Sequence, residues 1–138
     1  MPPDALALYA AVILLLPMAA FFLSSPTFLL VGLDVPAVTD LLRGIVNGYF
    51  KVVGVAGIVA MVLFAVSGRP VFAVEAIAIA AYAIAVRRWL LQRMDAQLQA
   101  RDAGVATAVR QLRVLHLQSM AINAIPLAVV VASIPLIV

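Results

Sequence analysis

Three groups of polar residues interrupt otherwise apolar stretches, and their types and spacing limit the chemistry open to this chain. The first lies in the string R-V-L-H-L-Q-S-M-A-I-N, where His116, Ser119 and Asn123 are three and four residues apart. That spacing puts an imidazole, a hydroxyl and a carboxamide on one helix face. Such a face can hydrogen-bond to neighbouring helices or line a polar pocket. The second is Glu75, with Tyr82 two turns further on and on the same face. A carboxyl this far inside an apolar segment either reaches back to the interface or to Arg69, or holds a proton or a cation. The third is Arg43, Asn47 and Lys51, at intervals of four. These residues suit snorkelling to lipid phosphates, or neutralising an anionic ligand beside His116.

The same inventory excludes a good deal. His116 is the only histidine and there is no cysteine. A zinc site with several histidines cannot form within one chain, and thiol redox and iron–sulfur chemistry are absent. A haem held by two histidines would require two chains. Neither a metal nor a cofactor is expected. Ser119 and His116 have the spacing of a nucleophile–base pair, but no carboxylate is placed to orient the imidazole. His116 and Glu75 fall near opposite ends of their segments.

The elements that must position these residues follow from composition. The chain has 138 residues, 67% hydrophobic and 11% charged. Soluble domains run at about 45–50% apolar and about 25% charged. A soluble enzyme, a disordered chain and a disulfide scaffold are therefore excluded, which leaves an integral membrane protein. Four segments can cross a hydrocarbon core of about 30 Å, with approximate bounds 5–23, 44–66, 71–91 and 114–138. The first opens M-P-P-D, without basic residues or a small-x-small site before Ser24, and is expected to be a retained span rather than a signal peptide. Ser24, Ser25 and Pro26 end or kink it, and an interfacial or re-entrant turn leads to Pro36. Thr39 or Asp40 is the expected cap of the second helix. Ser67 to Pro70 form a tight turn, with Pro70 starting the third helix. Leu90, Leu91, Met94 and Leu98 keep helical spacing beyond the membrane, and Gly104 turns the chain into the run through Val109, Leu112 and Leu115. The expected fold is all-α, a single domain over 1–138. It is an integral membrane bundle of four transmembrane helices, the third and fourth extended by two or three turns as a cytoplasmic helical hairpin.

Charge supplies an orientation. Nine Lys and Arg stand against six Asp and Glu, and six of the nine lie between Arg87 and Arg113. With that segment in the cytoplasm both termini lie outside, and Arg69 is the one cation left on the outer side. Tyr49 and Trp89 then fall at the inner interface, and Arg43, Arg87 and Arg88 are the expected lipid-phosphate contacts. The expected location is a bacterial inner membrane. Aromatic and basic residues are not interleaved, so the cluster does not point to nucleic acid. Gly44, Gly48, Gly54, Gly57 and Ala60 in the second span allow close helix approach, as do Ala73, Ala76, Ala80 and Ala83 in the third. Such surfaces serve a tight bundle or a homo-oligomer.

The L-H-x-x-S-M-x-x-N string resembles the last helix of an uncharacterised family of small four-helix membrane proteins, a domain of unknown function with transmembrane-protein-205-like eukaryotic members. That family typically has a His-Gly-Leu-Ser run followed by an asparagine. His116, Ser119, Met120 and Asn123 match by position, whereas Leu117 and Gln118 stand where the family has Gly and Leu. The segments Ser24 to Phe28 and Asn47 to Phe50 look like that family's first loop and second-helix entry. A weaker resemblance, in the late His and Asn, is to the four-helix family that includes anthrone oxygenases. It implies cofactor-free oxidation of an aromatic substrate in or near the membrane.

The leading expectation is a structural or interaction protein in the lipid bilayer, either an accessory subunit of another membrane protein or a homo-oligomer. Two alternatives remain. One is a small membrane oxidoreductase or oxygenase with a pocket of His116, Ser119, Asn123, Lys51 and Asn47. The other is a proton-sensitive small-molecule permease using Glu75 and Tyr82. A dry core with these groups bonded to one another would count against both.

Overall fold

A computed structural model describes residues 2–137; Met1 and Val138, the ends of the expected domain and of the fourth span, lie outside the described residues. The chain forms α1 (Pro3–Ser24), a 3-10 turn (Ser25–Leu29), α2 (Pro36–Val66), α3 (Pro70–Asp102) and α4 (Ala108–Ile137). All four α-helices are long and apolar enough to cross a membrane. The protein is an all-α, four-helix membrane bundle.

Helix lengths divide the bundle into two zones. The 22 residues of α1 span about 33 Å, whereas the 30 to 33 residues of the others reach about 45–50 Å. Only α1 therefore matches a hydrocarbon layer of about 30 Å. The surplus of α2, α3 and α4 gathers at the end where α1 stops and the α3–α4 turn lies. At the opposite end an Arg69–Asp4 ion pair of 2.7 Å joins the α2–α3 turn to the start of α1.

The protruding α3–α4 hairpin is braced by α2, a partner that sequence reasoning had not assigned to it. Arg43 Nε and Nη2 donate to the two carboxylate oxygens of Asp95 at 2.5 and 3.0 Å, and Arg101 Nη1 donates to Thr39 Oγ1. α2 begins a turn before the expected cap residues, with Val35 at the N-cap and Pro36 opening the helix. Proline's fixed φ and missing N–H suit that first position. Thr39 instead lies within the first turn and donates to the Pro36 carbonyl at 3.0 Å.

Both sharp turns rest on glycines at positive φ. Gly68 (φ +74°) and Gly104 (φ +85°) each terminate a helix. The next residues, Arg69 and Val105, donate backbone N–H to Phe64 O and Ala100 O at 2.9 Å. This is the Schellman arrangement, which only glycine enters at low cost.

The small-residue stripe divides into two parts. A Cβ on Gly57 would lie 2.8 Å from Ala80 Cβ and 2.9 Å from Ala76 O, so here α2 and α3 touch backbone to backbone. Around Gly44 and Gly48, beyond their own turn of helix, no atom of the described residues lies within 4 Å of such a Cβ. The first part packs the bundle, and the second faces outward.

Candidate functional site

The His116–Ser119–Asn123 face points into the bundle. His116 and Ser119 are 1% exposed and Asn123 is fully buried. Asn123 ties three helices together. Its Oδ1 accepts from the Tyr49 hydroxyl of α2, and its Nδ2 donates to Met18 O of α1 at 3.2 Å. The Tyr49 ring stacks on Phe21 with centroids 4.0 Å apart. This fixes the phenol before it meets Asn123. His116 lies seven residues, about 10 Å, nearer the hairpin end. There its Nε2 bonds to Ser25 O at 2.9 Å, and Phe28 meets the imidazole edge-on. The imidazole thus fastens the 3-10 turn to α4.

These contacts bear directly on the nucleophile–base idea. A carbonyl only accepts, so Nε2 carries the hydrogen and Nδ1 presents a lone pair. Nδ1 has no partner, the only such buried side-chain atom among the described residues. The Ser119 hydroxyl donates to His116 O in its own helix at 2.6 Å, so its hydrogen is not directed to the ring.

Lys51 and Asn47, expected beside this stripe, are not brought to it. Lys51 is exposed and borders an outer groove with Leu16, Pro17 and Val55. Asn47 accepts from Arg87 Nε at 2.8 Å. The cause is helical geometry. Both lie two residues from Tyr49, a rotation of about 200°, so when Tyr49 faces inward they turn away. Of the three expected lipid-phosphate contacts, Arg43 is bonded to Asp95 and Arg87 to Asn47, whereas Arg88 is exposed. Sequence reasoning missed Tyr49 as the partner of Asn123. It had placed that ring at the interface. Its spacing from the apolar Val46 and Val53 was the available signal, since i−3 and i+4 neighbours share a face.

The structure does bring Glu75 and Tyr82 together, on the outside of the α3–α4 seam. They border a groove of about 270 Å³ with Ala78, Ile79, Ile125, Pro126 and Val129. Glu75 does not reach Arg69, which is paired with Asp4. Both its carboxylate oxygens lie 3.0 Å from Ser133 Oγ on α4, a partner not foreseen from sequence. Tyr82 donates to Ile122 O at 3.1 Å. Pro126 explains that bond. Without an N–H it cannot bond the carbonyl four residues back, and the phenol supplies the missing donor.

Among the described residues no three His, Asp or Glu side chains gather as a metal site would require. Fold and site together define a four-helix membrane protein with a hydrogen-bonded interior and one carboxylate at an apolar groove. Compared with protein-family models, curated proteins and solved structures, the chain matches none of them.

Proposed function

We propose that this is a structural or interaction protein, working through its helix surfaces as a homo-oligomer or as an accessory subunit of another membrane protein. One observation carries the reading. The stripe from His116 to Asn123 is at most 1% exposed and is bonded to α1, α2 and the 3-10 turn. A substrate pocket there would need space that these contacts fill. Gly44 and Gly48 offer a helix face on which another backbone can approach closely. The charge asymmetry supports placing the hairpin end in the cytoplasm of a bacterial inner membrane, with both termini outside.

The chain lacks cysteine, so a Gly48→Cys protein carrying a photoreactive maleimide reports on the neighbours of that face in native membranes. A discrete protein adduct is expected, either of two copies or of one copy with another subunit. Val131→Cys, at an exposed position on α4, is expected to label lipid only. Lipid adducts alone at both positions, or equal protein adducts from both, would overturn the proposal.

A further inference from the structure

The groove beside Glu75 is not explained by an interaction role. Glu75 is half-buried on the α3–α4 seam, and every other residue bordering its groove is apolar except Tyr82, whose hydroxyl is already donated to Ile122 O. A carboxylate among aliphatic groups in a membrane calls for a donor or a positive charge. Among the described residues its one donor is the Ser133 hydroxyl, which has a single hydrogen and also lies 2.9 Å from Val129 O. The carboxylate therefore shares one hydrogen with a carbonyl. Among the described residues it has no ion-pair partner. Arg69 is held by Asp4, and the next cation along α3, Arg87, lies twelve residues or about 18 Å away and is bonded to Asn47.

We propose that this groove binds a lipophilic organic cation, its positive head against Glu75 and its apolar body along Ile79, Tyr82, Ile125 and Val129. Charge complementarity decides the head, because an ammonium supplies the charge that the protein does not. The lining decides the body. One carboxylate and one hydroxyl among carbon atoms are too few ligands for a metal ion, whereas an aliphatic wall stabilises a hydrocarbon group. The volume suits a body about the size of one aromatic ring. A second groove, bordered by Ala85, Val86, Trp89 and Ile122, meets the first at Tyr82 and gives room for a longer tail. Glu75 lies five residues inside α3, about 8 Å from its start, so a cation reaches it from the interface without crossing the bundle.

The test uses the full chain in a non-ionic maltoside detergent, with benzyltrimethylammonium as the probe and neopentylbenzene as its neutral isostere. Titration followed by ligand-observed NMR is expected to show saturable, one-to-one binding of the cation and none of the isostere. Glu75→Gln should weaken the cation on the order of tenfold, since it removes a charge acting in a low dielectric. Val129→Trp, which fills the groove while leaving the carboxylate, should weaken it comparably. Ser133→Ala should bind at least as tightly as the unaltered chain, because it removes the internal competitor for Glu75. Equal binding of cation and isostere, unchanged affinity in both Glu75→Gln and Val129→Trp, or weaker binding in Ser133→Ala would overturn the proposal. Added phosphatidylethanolamine should leave the affinity unchanged. Competition by that lipid would assign the site to a headgroup amine and overturn the assignment to a free ligand.

Discussion

Alanine at Gly57 and alanine at Gly48 should move stability in opposite directions, although the two glycines lie on the same helix. At Gly57 the new methyl group would sit 2.8 Å from Ala80 Cβ, 2.9 Å from Ala76 O and 3.2 Å from Ala80 Cα. Carbon contacts are favourable at about 3.5–4.0 Å, so α2 and α3 must part by a good fraction of an ångström. None of these neighbours is the free end of a flexible side chain, and neither helix can yield locally. Overpacking of this kind costs about 1–3 kcal/mol. Replacing glycine by alanine in a helix returns about 1 kcal/mol, which leaves a net loss of up to about 2 kcal/mol. At Gly48, beyond its own turn of helix, no atom of the described residues lies within 4 Å, so only the gain of up to about 1 kcal/mol remains. The propensity gain is common to both, so the two variants should differ by the overpacking cost, about 1–3 kcal/mol. Unfolding of the monomer in mixed micelles with increasing dodecyl sulfate, followed by helical circular dichroism, measures this difference. Shifts of the same sign at both glycines would refute the close approach of α2 to α3 at Gly57. In native membranes Gly48→Ala should lose part of its gain if that face meets another helix.

The remaining expectations concern polar contacts. Asn123→Leu leaves the Tyr49 hydroxyl buried without a partner and should cost about 1–3 kcal/mol, while adding Tyr49→Phe should recover part of the loss because both partners are then apolar; a double-mutant cycle in the same micelles measures the coupling. Tyr82→Phe should cost about 0.6 kcal/mol, a typical interhelical bond in a membrane protein. In a Pro126→Ala background that cost should vanish, because the restored N–H serves Ile122 O. Arg43 donates to Asp95, beyond the 71–91 span, and that bond holds the Asp95 carboxyl below the usual carboxylate range. A lowered carboxyl contributes stability that is complete above its unfolded value of about 3.9 and is lost as pH falls through the folded value. Both side chains are more than a third exposed (38% and 45%), so screening keeps the effect below about 1 kcal/mol. Asp95→Asn should flatten the acid limb of the stability profile by that amount, as read from unfolding midpoints between pH 2 and 6.

Element type and number were legible because apolar length and breaking residues are local signals. Pro70 and Gly104 mark a helix start and a helix end through their own backbone chemistry, wherever the rest of the chain lies. The inward direction of the His116–Asn123 face was legible for a related reason, since a polar face at membrane depth must avoid lipid. Partners were not legible. Asn123 could be placed near the midplane by counting residues, but its meeting with Tyr49 depends on the rotation of α2 about its own axis. That rotation is fixed by Gly57 seating on Ala76 and Ala80, a fact about two helices at once. The same rotation turned Asn47 and Lys51 away from the stripe. Ser133 was equally hidden, because its relation to Glu75 depends on how α3 and α4 are aligned along the seam.

α2 and α3 are joined by close backbone contact, but α4 is held differently. Its most apolar stretch is less buried than those of the other three helices, and hydrogen bonds fasten it at successive depths. His116 meets the 3-10 turn, Asn123 meets α1 and α2, Ile122 O accepts from Tyr82, and Ser133 meets Glu75. Interhelical bonds of this type are each worth only about 0.6 kcal/mol on average. They set position more than they supply stability. A helix placed by directional bonds need not interdigitate along its whole length. The α3–α4 seam can therefore stay open as a groove without the bundle losing its register. Glu75, the only acidic side chain in the sequence well inside a span, stands at that groove, where a ligand can sit against the seam without parting the helices.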